Sequence, residues 1–262
     1  MALTLTREIR FALEEAALAD GAGASNGFAA NPALGGIGTF LTLAAGLSGE
    51  IDPATGMLIN IKVVDRILRE VAVPRIRGGH FRERLSGEKI VVELWHLLRE
   101  RFAPHALRRL QLAASPYLWF ASHDKEPGVV QLCLRFEFSA AHRLHSGSLS
   151  PAENMDVFGR CNNANGHGHN YELEVVVAGV PQESGHVVPV GKLQEIVNRQ
   201  IIEPFDHKHL NLDCAEFREL NPTVENIAGV LYRRLKPHIP APARLACLRV
   251  WETPKTMCEY SE

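Results

Sequence analysis

The sequence has no surplus of either charge. Its 28 Lys and Arg stand against 30 Asp and Glu over 262 residues, a formal net charge of −2. Such a chain has no electrostatic footprint for nucleic acid or an anionic membrane surface, and neither partner is expected. It has only five cysteines, an odd number without framework spacing: Cys133, Cys161, Cys214, Cys247 and Cys258. That pattern argues against a disulfide scaffold and points to reduced thiols and a cytoplasmic protein. An apolar leader is also missing, because Met1–Asp20 is interrupted by Arg7, Glu8, Arg10, Glu14, Glu15 and Asp20, and no cleaved signal is expected. One uncharged stretch, Gly21–Gly49, is long enough to span a bilayer. It holds Asn26, Asn31, Pro32 and many glycines, and its apolar part shrinks to little more than Phe40–Leu47. A glycine-rich loop entering a strand fits it better than a spanning helix.

What is present is unevenly placed. No cysteine precedes Cys133, and eight of the twelve histidines lie beyond residue 130. Asn163–Val175 (NANGHGHNYELEV) lies without gaps on Asn31–Leu43 (NPALGGIGTFLTL), and Lys192–Ile202 then falls on Val63–Val73. Turn, strand, turn and amphipathic helix recur in the same order, which points to an internal duplication. The polar connection Asp124–Gly128 (DKEPG) sets the expected domains at residues 1–126 and 127–262. In the first copy Gly35 and Ile37 stand where His167 and His169 stand, no cysteine faces Cys161, and His80, His96, His105 and His123 form no cluster. A scaffold copy without a metal site is expected there.

In the second copy, alternation predicts strands over Val130–Ala140 and Tyr171–Val177, with further strands over Arg244–Glu252 and in the tail. Apolar spacing predicts helices over Lys192–Ile202 and Val224–Leu235, the latter opened by Pro222 with Thr223 as N-cap. The first half should carry strands near Leu3–Ala12 and Thr39–Ala45 and helices near Ile61–Val73 and Lys89–Phe102.

The densest motif is Cys161–Tyr171, CNNANGHGHNY. Histidines at i and i+2 entering a strand project from one face, so His167 and His169 can reach one ion. His142, at the end of the preceding strand in FSAAHRL, can supply a third ligand. Three imidazoles leave a tetrahedral position open, the arrangement of a catalytic zinc. The HGH pattern alone is equally consistent with a polar turn. Cys161 lies on the loop before the two histidines, where a thiol beside a cation can act as a base, although a small buried hydrophobe has the same spelling. Asp206-His207 in FDHKHLN can form a proton-relay pair or a polar turn after a helix. His209 and His145 read as surface histidines. Glu252, at a strand end after Trp251, can accept two parallel hydrogen bonds from an amidine-like edge. Thr223 and Glu225 read alone as a cap and a first-turn acid.

FSAAHRL, CNNANGHGHNY, FDHKHLN, NPTVENIA and VWET, in this order, resemble the 6-pyruvoyltetrahydropterin synthase family, which includes 6-carboxytetrahydropterin synthases of queuosine synthesis. The resemblance covers about half the chain, from near Val130 onward. It implies an α+β fold of two tandem tunnelling-fold domains, each an antiparallel four-stranded sheet with two helices on one face, assembling into barrels. It also implies a homo-oligomer, by analogy three chains giving six domains, and a pterin triphosphate substrate, 7,8-dihydroneopterin triphosphate. His142, His167 and His169 match the zinc ligands, and Cys161 the proton-abstracting cysteine. Asp206 and His207 match the relay pair. Glu252 matches the pterin anchor, sometimes assigned to the relay, with Thr223 and Glu225 lining the pterin pocket. The implied reaction is loss of triphosphate to give the 6-pyruvoyl product without a redox cofactor. The alternatives are a 6-carboxy product with acetaldehyde, or a catalytically weak pterin-binding or scaffold protein. Five residues between Cys161 and His167 resemble the pyruvoyl-forming members more closely.

Overall fold

The computed structural model describes residues 3–13 and 39–262. The part of the internal alignment that rests on Asn31–Gly38, including Gly35 and Ile37, therefore lies outside the described residues. The chain divides into two compact units, Met1–Leu132 with Ala178–Val187 and Cys133–Val177 with Val188–Glu262. The architecture is α+β with antiparallel strand pairing, and no described helix is long and apolar enough to cross a membrane.

In the first unit β1 (Leu5–Leu13), β2 (Thr39–Ser48), β3 (Ala106–Ser115) and β4 (Leu118–His123) pair antiparallel in chain order. Between β2 and β3 run α1 (Ile61–Ile67), α2 (Val73–Phe81) and α3 (Gly87–Arg101). Asn60 and Ser86 cap α1 and α3 with their side-chain oxygens, satisfying amides that have no partner inside the helix. Ile9, Phe11, Leu43, Leu47, Leu68, Leu94 and Leu98 are almost completely buried, each contributing about 1.5–3 kcal/mol by leaving water. Residues 178–187 are held in this unit by the Ser86 hydroxyl donating to the Gly185 carbonyl (2.5 Å) and the Val187 amide donating to buried Glu88 (3.4 Å).

The second half of the chain supplies β5 (Val130–His142), α4 (Pro151–Phe158), β6 (His167–Gly179), α5 (Val190–Val197), α6 (Glu203–Phe205), β7 (Lys208–His209), α7 (Leu210–Asp213), α8 (Val224–Leu235), β8 (Arg244–Thr253) and β9 (Thr256–Tyr260). Strands β5, β6, β8 and β9 are hydrogen-bonded neighbours in that order, and β7 lies parallel to the end of β5. Along β6, Tyr171, Leu173, Val175 and Val177 are fully buried while Glu172 and Glu174 keep contact with water. That is the period-two pattern of a sheet with one face packed on a core. His167 and His169 share the parity of the buried residues, so the strand that builds the core also aims the histidines.

The helix expected over Lys192–Ile202 starts at Val190 and runs on through a widened π turn, Asn198–Ile202, into α6. A matching π turn, Leu68–Ala72, joins α1 to α2. Each precedes a proline, Pro204 and Pro74. A helical proline has no N–H to offer and its ring crowds the carbonyl four residues earlier, Gln200 and Glu70 respectively. Both carbonyls lie within the widened turns, which relieves the crowding without ending the helix. The Gln200 carbonyl, freed this way, accepts the Arg234 Nε–H from α8 at 2.7 Å.

Candidate metal centre and its surroundings

The end of β5 and the start of β6 bring His142, His167 and His169 together. Their candidate ligand atoms all lie within 4.8 Å of one another, the one such group among the described residues. The ring centroids form a triangle of 4.5, 5.2 and 4.9 Å. His142 is completely buried. Its Nδ1 faces the Pro222 carbonyl at 2.7 Å. A carbonyl only accepts, so Nδ1 carries the proton and the Nε2 lone pair points at the other two rings. Burial is the main reason the His142 imidazole titrates at about 4, with the neighbouring imidazoles adding to the effect. Burial and then His169 lower His167 as well. Both rings are therefore neutral at pH 7, the form that binds a metal.

The donor set fits a divalent ion. His142 Nε2 and His167 Nε2 are 3.1 Å apart, and an ion ~2.0–2.1 Å from each of two tetrahedral ligands would set them roughly 3.3–3.4 Å apart. His169 Nε2 is shielded from water and has no hydrogen-bond partner, a cost that a bound ion would remove. Glu252 Oε1, from β8, lies 3.4 Å from His142 Nε2 and 3.8 Å from His169 Nε2. Its carboxylate is thus beside the imidazoles at the centre itself. Behind them Tyr171 stacks on Phe138 with centroids 5.0 Å apart and brings its hydroxyl to 3.5 Å from His142 Nδ1. Burial raises the Tyr171 hydroxyl pKa, and the nearby Glu252 and Cys161 raise it further.

Cys161 sits on a 3-10 turn, Gly159–Asn162, that follows α4. A capping box between Ser150 and Glu153 starts α4, and Gly159, at φ 51° and ψ −123°, turns the chain out of it through a region open to glycine alone. The Cys161 carbonyl accepts the Leu144 amide at 2.9 Å, tying the thiol turn to the end of the His142 strand. Cys161 is half-buried, whereas Cys133, Cys214 and Cys247 are buried. Burial pushes the thiols of Cys133, Cys214 and Cys258 up, Cys214 to about 11.

Asp206 and His207 form a hydrogen-bonded pair, His207 Nδ1 to Asp206 Oδ2 at 2.8 Å. The Ser139 amide donates to Asp206 Oδ1 (2.7 Å), and the Ser139 carbonyl accepts the His207 amide (2.6 Å). The Ser139 amide, and after it His207, holds the Asp206 carboxyl below the usual carboxylate range. His207 adopts φ 56° and its ring is 82% exposed. An open cleft of about 590 Å³ is lined by His169, Asn170, His207, Lys208 and His209 among others, so His207 and one metal-type histidine share a cleft wall. Thr223 caps α8 by accepting the Asn226 amide (3.4 Å), and Glu225 is exposed in the first turn. Their link to the histidines runs through Pro222, directly before the cap.

Sequence reasoning missed the Pro222 carbonyl, Tyr171 and His209. His209, expected at the surface, is half-buried with a shielded Nδ1, and its Nε2 lies 2.6 Å from where a side chain at Gly166 would begin. Within NGHGH the signal is Gly166, whose φ of +73° favours glycine, whereas a side chain at Gly168 would meet only the Ala140 carbonyl at 3.7 Å.

A core-facing strand that presents two of three clustered imidazoles around a shielded, unpartnered nitrogen defines an α+β domain whose histidines could hold a metal ion. Residues 131–262, half of the chain, match the family described as 6-pyruvoyl tetrahydropterin synthase, and the chain belongs to that family of pterin-synthesising lyases. It is 40% identical over 133 residues to the 6-pyruvoyl tetrahydrobiopterin synthase of Drosophila melanogaster, covering 50% of this chain and 79% of that protein. It is 30% identical over 148 residues to the 6-carboxy-5,6,7,8-tetrahydropterin synthase of Haemophilus influenzae, covering 48% and 95%. A solved structure of the Caenorhabditis elegans 6-pyruvoyl tetrahydropterin synthase is similar at 38% identity and a TM-score of 0.49, covering 51% of this chain and 96% of that one.

Proposed function

We propose that the chain is a zinc-dependent lyase converting 7,8-dihydroneopterin triphosphate to 6-pyruvoyltetrahydropterin with loss of triphosphate. The observation that carries this reading is the convergence of His142, His167 and His169, with His142 fixed as a lone-pair donor by Pro222. When bound, zinc supplies a Lewis acid for the side-chain hydroxyls of the substrate. Cys161, as thiolate, takes the carbon-bound proton next to the ring. The Asp206–His207 pair exchanges protons with a side-chain hydroxyl, the carboxylate fixing the tautomer through Nδ1. Glu252 anchors the pterin by accepting its paired N–H groups, and its place beside His142 and His169 supports an anchor adjoining the metal. Thr223 and Glu225 line the pterin pocket. The electrons withdrawn from the side chain as its carbonyls form reduce the ring of the same molecule, so the reaction balances without an external oxidant. Residues 1–126 are proposed as a duplicated scaffold copy, and the working form as a homo-oligomer.

A second reading keeps every residue but yields 6-carboxytetrahydropterin and acetaldehyde. The likeness to the Haemophilus influenzae protein over 95% of that protein's length favours it. Mass spectrometry of products from dihydroneopterin triphosphate, with and without metal stripping, decides. A metal-dependent 6-pyruvoyl product supports the first reading and a 6-carboxy product the second. No turnover by folded, zinc-loaded protein overturns both.

A further inference from the structure

We propose that Arg143 is a positioning residue that sets the Cys161 turn against the metal strand, a role that rests on the reading of Cys161 as the base. Arg143 follows His142 directly, and its guanidinium grips one residue twice. Nε donates to the Asn162 carbonyl at 3.1 Å, and Nη2 donates to the Asn162 side-chain oxygen at 3.0 Å. His145 completes the cluster, its Nδ1 lying 3.0 Å from the same side-chain oxygen and 3.3 Å from Arg143 Nη2. The backbone of Arg143 is itself fixed from both sides. Its amide donates to Asn211 Oδ1 (2.8 Å), and its carbonyl accepts the Asn211 amide group (3.1 Å). One residue thus joins three things: the strand end carrying His142, the turn carrying Cys161 and the α7 segment after His209.

The chemistry of the grip decides what it does. A planar fork with two donors on two oxygens of a single residue fixes that residue in both place and rotation, which a point charge cannot do. Asn162 is the immediate neighbour of Cys161, and the Leu144 amide already holds the Cys161 carbonyl. With these contacts made, the thiol keeps its distance from the imidazoles. Without Arg143, the turn keeps the Leu144 bond to the Cys161 carbonyl and the His145 contact with the Asn162 side chain, and the Asn162 carbonyl loses its guanidinium donor.

The test compares R143K, R143A, N162A and C161A in the full-length zinc-loaded protein. The readouts are kcat and KM for dihydroneopterin triphosphate, bound zinc, and amide hydrogen exchange read by peptide. Loss of the fork should lower kcat about 10- to 100-fold, with KM and zinc content within about twofold of wild type. R143K keeps the charge and loses the fork, so it should fall with R143A. N162A removes one of the two acceptors and should lose less, and combined with R143K it should be no worse than R143K alone. Exchange in Gly159–Asn163 should quicken about tenfold in R143A, also in metal-stripped protein, while α8 is unchanged.

Wild-type kcat in R143K would show that charge alone acts there and would overturn the proposal. A rise in KM at constant kcat would make Arg143 a substrate contact, and zinc loss in step with kcat would make it a support of His142. Either outcome also overturns it. If C161A retains turnover with zinc bound, the reading of Cys161 as base fails, and that failure is visible separately from the Arg143 variants. Should R143A not fold, R143K and N162A carry the test.

Discussion

Gly166→Ala puts a measurable price on the packing of the turn that enters the metal strand. Gly166 sits at φ +73°, and a methyl there would meet His209 Nε2 at 2.6 Å, the His142 carbonyl oxygen at 2.9 Å and its carbon at 3.3 Å. The His209 ring can rotate away, but the His142 carbonyl belongs to the strand that holds the buried imidazole. Placing alanine at a left-handed φ costs about 1–2 kcal/mol, and forcing a methyl into filled space adds about 1–3 kcal/mol. Gly56 separates the two contributions: its φ is +69° and nothing lies within 4 Å of its would-be methyl. Gly56→Ala carries the backbone cost alone, and both variants share the loss of unfolded-chain freedom. Peptide-level hydrogen exchange across urea reads each unit by itself and should put Gly166→Ala about 1–3 kcal/mol below Gly56→Ala. Displacing His142 and neighbouring His167 should also weaken zinc about 10- to 100-fold in a chelator competition. Adding His209→Ala removes the nearest clash and should recover part of the loss, the His142 carbonyl remaining. Equal stability and equal zinc affinity for the Gly166 and Gly56 variants would refute the reasoning.

Two further outcomes test the physical account. The His142 imidazole titrates at about 4 in the folded chain against 6.5 unfolded, so between those values the unfolded state binds the proton more. Metal-stripped protein should lose stability as pH falls through that window, by at most about 1.4 kcal/mol per pH unit, and show no such slope above it. Urea midpoints against pH for wild type and His142→Ala check this, and identical slopes would count against the buried neutral ring. Arg234→Met removes the donor to the carbonyl freed by Pro204 and the pair with Glu216, and should cost about 1–3 kcal/mol by denaturation. In a Pro204→Ala background the restored amide can take the Gln200 carbonyl, so the same change should cost less; equal costs would detach Arg234 from the π turn.

The histidine group was legible only in part, because spacing puts His167 and His169 on one strand face whereas the HGH pattern alone is equally consistent with a polar turn. His167 and His169 stand two apart on a strand whose buried parity Tyr171, Leu173, Val175 and Val177 already announce, and the helix expected over Val224–Leu235 has those bounds because Thr223 and the apolar spacing mark them. What the sequence hides is the protonation of His142. The atom that fixes His142 as a lone-pair donor is the carbonyl of Pro222, 80 residues away, and a backbone carbonyl has no letter of its own. Glu252 reads as a carboxylate at a strand end, but its approach to His142 and His169 depends on the placement of β8 beside β6, which no local pattern encodes. The same holds for Asp206 and His207. Their adjacency is visible, whereas the positive φ of His207 and the two hydrogen bonds with the Ser139 backbone that orient the pair are not. Local spacing therefore selects which atoms can meet a metal, and distant backbone contacts decide their charge on arrival. A shift of the backbone at Pro222 or Ser139 that leaves His142, His167, His169, Asp206 and His207 unchanged can for that reason alter the site.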